Sequence, residues 1–101
     1  MARIRTHPGE VLREEFMKPL GLSGNALALA LRVPATRIGD LLRKDRPRAV
    51  SADTALRLGR YLGTSAELWL NLQAAYDLSR VVADHGPAIE RDVHPRAEIA
   101  A

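Results

Sequence analysis

Six basic residues fall within seventeen positions of one another: Arg32, Arg37, Arg43, Lys44, Arg46 and Arg48, opposed locally only by Asp40 and Asp45. Guanidinium and ammonium groups at this density suit the binding of phosphate, and the chemistry is electrostatic rather than catalytic. The charge is unevenly spread. Residues 1–50 carry ten Lys/Arg against five Asp/Glu, whereas residues 51–101 carry five against seven. The remaining reactive residues give no catalytic constellation. Cysteine is absent, which removes disulfides, thiolate metal ligands and thiol nucleophiles. His7, His85 and His94 have no second ligand at metal spacing. Glu14 and Glu15 are adjacent on a helix and diverge, and Ser23, Ser51, Ser65 and Ser79 read as caps or surface residues. No phosphate loop, dinucleotide fingerprint or nucleophile elbow is present, so neither an enzyme nor a cofactor is expected.

The elements that position the basic residues can be read from spacing. Leu27, Ala28 and Leu31 share one helical face, as do Ile38, Leu41 and Leu42, and Arg32-Val33-Pro34 separates the two runs. Pro34 disfavours α geometry at Val33 and suits the start of a new helix, so two short helices meet at a tight turn. Small Ala28 lets the second cross the first closely. This is the pattern of a helix-turn-helix, spanning residues 23–43 with Ser23 as the first cap.

The flanks are helical too. Apolar residues make up 47% of the 101, aromatic residues only 4%, and Leu and Ala dominate, which favours an all-α domain. Residues 1–6 read as a basic arm. His7-Pro8-Gly9-Glu10 starts a helix that buries Val11, Leu12 and Phe16 and ends at Lys18-Pro19-Leu20-Gly21. Ser51 caps a fourth helix with Asp53 in its first turn and Ala55, Leu58 and Leu62 as its buried stripe. Gly63 closes it, and Thr64-Ser65-Ala66-Glu67 matches a capping box that opens a fifth. That last helix carries two apolar faces, Leu68, Leu72, Ala75 and Ser79 on one and Trp69, Gln73, Tyr76 and Arg80 on the other. The first is expected to line the core and the second to meet a second copy, unless the domain buries both itself. The folded domain is read as residues 7–82. Residues 83–101, with Gly86, Pro87 and Pro95, are expected to form a flexible tail. No stretch has the length of a signal peptide or membrane span, which points to a cytoplasmic protein.

When the second helix of such a pair enters the major groove, its first turns reach base edges. Here those are Ala35, Thr36, Arg37 and Asp40, with Arg37 suited to guanine and Asp40 to cytosine, or else joined to each other as a surface pair. Phosphate contacts fall to Ser23, Asn25, Arg43, Lys44, Arg46 and Arg48, with the arm residues Arg3 and Arg5 in reserve.

From His7 to about Leu78 the chain resembles the HigA-type antitoxins, a branch of the lambda-repressor-like helix-turn-helix superfamily. HPGEVLREEF at 7–16, PLGLS at 19–23 and SADTALRLGRYLGTSAELWLNLQAAYDL at 51–78 carry that resemblance. It implies a five-helix domain, homodimerisation through the C-terminal helix, binding to an inverted-repeat operator in its own promoter, and silencing of a HigB-type mRNA-cleaving ribonuclease toxin. Three places depart from the superfamily pattern. Gly24-Asn25 replaces a common glutamine, Arg32 stands where the turn usually has glycine, and Gly39 interrupts the recognition helix at a cost of about 1 kcal/mol relative to alanine. A stand-alone repressor, or an interaction module that has lost DNA binding, are the alternatives.

Overall fold

A computed structural model describes residues 3–97. Residues 1–2 of the expected arm and 98–101 of the expected tail lie outside the described residues. Among the described residues there are five helical stretches and no strand. The first, α1, is continuous but not uniform: an α-turn at Pro8–Val11 widens to π-helix at Leu12–Met17 and returns to α at Lys18–Leu20. Pro19 has no N–H to donate, and its ring would meet the carbonyl four residues back. The wide turns before it accommodate that ring. Gly21 then closes α1 at φ 64°, in the left-handed region.

The helix-turn-helix follows as α2, Gly24–Leu31, and α3, Ala35–Leu42. Ser23 caps α2 by accepting the Ala26 N–H at 3.1 Å. Arg32 holds the turn at φ 61°, so a residue with a Cβ occupies the left-handed conformation where glycine is at ease. Pro34 is the N-cap of α3, in extended geometry. Helix α4, Ala52–Leu62, has Ser51 as its cap and Gly63 at its left-handed end. Ser65 caps α5, Ala66–Asp92, accepting from Leu68 N–H at 3.1 Å. The capping box expected from Thr64 does not form, because the Thr64 hydroxyl accepts the Trp69 indole N–H at 2.9 Å instead.

Leu12 and Met17 of α1, Leu27, Ala28 and Leu31 of α2, Ile38 and Leu41 of α3, Val50, Ala55 and Leu58, and Trp69 of α5 form one core. Two glycines mark close approaches. A Cβ on Gly9 would lie 2.1 Å from the Leu41 carbonyl oxygen, and one on Gly59 would lie 2.8 Å from the Ser65 backbone. Gly9 thereby lets the start of α1 rest against the end of α3.

The flexible tail expected from residue 83 is corrected over its first part: α5 continues to Asp92 with Pro87 inside it. Gly86 has no Cβ to meet the proline ring, which removes much of the usual penalty on the residue before proline. Ala83, Ala88, Glu90 and Arg91 around it are good helix formers. At 1.5 Å per residue the 27-residue helix is about 40 Å long, which accounts for a molecule of 53 × 26 × 22 Å.

Candidate nucleic-acid interface

Ala35, Thr36 and Gly39 are exposed on α3, and Arg37 and Asp40 are partly exposed beside them, while Ile38 and Leu41 face inward. The second helix of the pair thus presents one bare surface that begins at its N-terminus. Arg37 does not pair with Asp40. Its guanidinium reaches the Asp53 carboxylate in the first turn of α4, and Arg57 donates to the same oxygen at 2.9 Å. The two arginines, Arg57 foremost, hold the Asp53 carboxyl below its usual range. Arg57 also donates to the Leu31 carbonyl at 2.8 Å, satisfying an orphan acceptor at the end of α2. Sequence reading placed Asp53 only as a helix-dipole residue and missed Arg57. Their four-residue spacing was a usable signal for that pair, but the link to Arg37 is tertiary.

The basic loop follows α3 closely. Arg48 N–H donates to the Asp40 carbonyl at 3.0 Å, and Arg13 donates to the Leu42 carbonyl at 2.9 Å, so both close the end of the recognition helix. Arg46 turns the loop at φ 47°. Arg43, Lys44, Arg46 and Arg48 are all exposed, with Arg43 lying 3.6 Å from Asp45. Val50 N–H, at the loop's far end, donates to the buried Gln73 side chain at 2.8 Å. Asn25 and Ser23 are exposed at the start of α2. Arg5 N–H donates to Ser79 Oγ at 2.9 Å, which ties the arm to α5.

His7 sits behind this loop. Its Nδ1 accepts the Gly9 N–H at 2.9 Å, and its ring meets Tyr76 edge-on at 4.8 Å. Burial lowers the imidazole pKa, against the opposing pull of Asp77 and of the Arg48 backbone. The neutral ring is the form that can cap α1.

The dimerisation residues need correction. Trp69 is fully buried against Phe16 and Gln73 is buried beneath the loop, so neither can meet a second copy. Tyr76 is half-buried, and Arg80 is stacked over it. Periodicity separates the two faces of α5 but does not say which docks, and the aromatic one docks on α1 and α4. The apolar surface that α5 leaves outward is Leu68, Leu70, Leu78, Val81, Val82 and Ile89, so Leu68 of the face expected to line the core is exposed while Leu72 of that face packs against the core.

Comparison with known proteins adds to this geometry. No family model matches the chain. Virulence-associated protein I of Dichelobacter nodosus is 55% identical over 78 residues, covering 77% of this chain and 70% of that protein. An addiction module antidote protein of the HigA family from Coxiella burnetii is 41% identical, with a TM-score of 0.85 over 93% of this chain and 100% of that one. The Pseudomonas aeruginosa antitoxin HigA, solved with the higBA promoter, is 46% identical, with a TM-score of 0.85 over 92% of this chain and 98% of the other. The chain belongs to the HigA antitoxin family. In this HigA-family chain, among the described residues, no helix is long and apolar enough to cross a membrane, and no cluster of three metal-ligating side chains occurs. The segments HPGE at the start of α1 and SADTALRL at the start of α4 supply the His7 and Ser51 caps and the Asp53 and Arg57 that brace the helix pair.

Proposed function

We propose that this chain is a cytoplasmic antitoxin that acts by binding rather than by catalysis. As a homodimer it represses its own promoter and silences a HigB-type ribonuclease toxin. The observation that carries the reading is the bare N-terminal surface of α3 flanked by the exposed basic loop, in a fold shared with a relative solved on its promoter. Ala35, Thr36, Arg37 and Asp40 read bases. Ser23, Asn25, Arg43, Lys44, Arg46 and Arg48 hold the phosphates on either side.

Dimerisation through α5 is retained with a changed face. Leu78, Val82 and Ile89 lie at helical spacing on its outer side with 65%, 41% and 46% of their surface exposed. Trp69, Gln73, Tyr76 and Arg80 fall on the opposite side of the helix, since residues two apart are rotated by about 200°, and do not contribute. A second copy covering it pairs two recognition helices for the two halves of an inverted repeat.

The antitoxin half of the proposal is tested by sequencing the flanks of this gene and expressing any small reading frame found beside it, with and without this chain. Growth arrest by the neighbour alone, relieved by co-expression and accompanied by co-purification, is the expected result. An innocuous neighbour that does not bind leaves the stand-alone repressor as the better reading.

A further inference from the structure

We propose that Asp53 is the positioning residue for Arg37, setting the direction in which that arginine presents itself to a base and withholding it from phosphates. The inference rests on the reading of α3 as a base-reading helix. Three observations carry it. Arg37 is the one long cationic side chain on the exposed start of α3, and its guanidinium is engaged by Asp53 rather than by its helix neighbour Asp40. Asp53 is itself held by Arg57, which donates to the same carboxylate oxygen and is anchored in turn on the Leu31 carbonyl. Arg37, Arg48, Ser51 and Asp53 line one notch between α3 and the start of α4, so the bracing carboxylate stands at the edge of the surface that meets DNA.

An unbraced arginine on a flexible stem satisfies any nearby phosphate and carries no sequence information. A guanidinium held through Nη1 has a narrowed range of directions for its remaining N–H groups, which suits two-point contact with guanine and reduces the rotamer freedom lost on binding. The negative charge of Asp53 also discourages close approach of phosphate at that point. The chain of contacts runs from α2 through Arg57 and Asp53 to α3, so the reading residue is referenced to the framework of the helix pair.

The test is competition binding of the full chain to its own promoter fragment and to random duplex, for wild type, Asp53→Asn, Arg37→Ala and the double variant, with single base-pair substitutions in the promoter. Asp53→Asn is expected to lower the preference for promoter over random DNA about tenfold, the size of one base contact. It should bind random DNA more tightly, with a salt dependence steeper by about one counterion. Its lost discrimination should fall at the same base pair as that of Arg37→Ala, and it should add nothing in the double variant. A purely structural role would weaken both DNAs together. Asp53→Ser serves if the asparagine variant does not fold, and Asp53→Glu, which keeps the charge in the first helical turn, should recover part of the preference. A folded Asp53→Asn with unchanged preference, or with discrimination lost elsewhere, overturns the proposal while leaving DNA binding intact. A wild-type chain that shows no promoter preference overturns the DNA reading itself, and this proposal with it.

Discussion

Gln73 and Val50 are joined by a buried hydrogen bond of 2.8 Å, in which the backbone N–H at the end of the basic loop donates to a side chain of the long C-terminal helix. Gln73 is held in turn by donating to Asp77 at 2.9 Å. Replacing Gln73 by leucine keeps the volume but leaves the Val50 N–H buried and unpaired, which costs about 1–3 kcal/mol. Urea unfolding should therefore show a lower midpoint with an unchanged slope. An unchanged midpoint would mean that the loop is not pinned by this contact.

Arg37 and Arg46 should separate into two kinds of DNA contact. Loss of Arg37 is expected to relax sequence preference by about 1–3 kcal/mol at one base pair. Arg46→Ala should weaken all sequences alike and reduce the salt slope by about 1. Alanine keeps the Cβ of arginine, so the left-handed backbone at position 46 is equally strained in both and the variant reports on charge alone. Equal loss of preference in the two variants would contradict the assignment.

Gly39 and Gly9 are both helical glycines with opposite expectations. A Cβ at Gly39 meets nothing within 4 Å, so Gly39→Ala should stabilise the fold by about 1 kcal/mol. A Cβ at Gly9 would collide with the Leu41 carbonyl, so Gly9→Ala should destabilise the fold by about 1–3 kcal/mol, the usual range for overpacking. Thermal unfolding of the two variants checks the contrast, and a stabilised Gly9→Ala would show that α1 does not rest on the end of α3.

His7 gives the fold a pH dependence of defined sign. Its folded-state pKa is depressed by burial, so between that value and the ordinary 6.5 the unfolded chain binds more protons. Stability conferred by the neutral cap is complete above pH 6.5 and declines as pH falls through the window below it. His7→Asn, which can still cap a helix, should flatten the midpoint-against-pH curve between pH 5 and 7 relative to wild type. A wild-type curve that is flat there, or identical to that of the variant, would contradict the assignment.

The helices and their caps were legible because they are local. Ser23 and Ser51 accept backbone N–H groups where short polar side chains before apolar runs predict caps, whereas the last helix is capped by Ser65, one residue beyond the Thr64 that the capping box implied. The helix pair was legible from the apolar spacing of Leu27, Leu31, Ile38 and Leu41, all of which are buried. What the sequence concealed is three-dimensional. Two apolar faces on α5 look alike until docking selects one, and the more aromatic face carried Trp69 into the core. Pro87 and Gly86 read as breakers one at a time, but glycine before proline lessens the clash between the proline ring and the Cβ of the preceding residue. Arg37 and Asp53 are sixteen residues apart, beyond any helical spacing, so their pairing becomes visible only when α3 and α4 are placed side by side.

The most direct test of the account is competition between the chain's own promoter fragment and random duplex of equal length at physiological salt. A promoter preference of about a thousandfold or more is expected for a sequence-specific dimer. Equal affinity for the two would contradict the DNA-reading role of α3 and leave the fold as an interaction module alone.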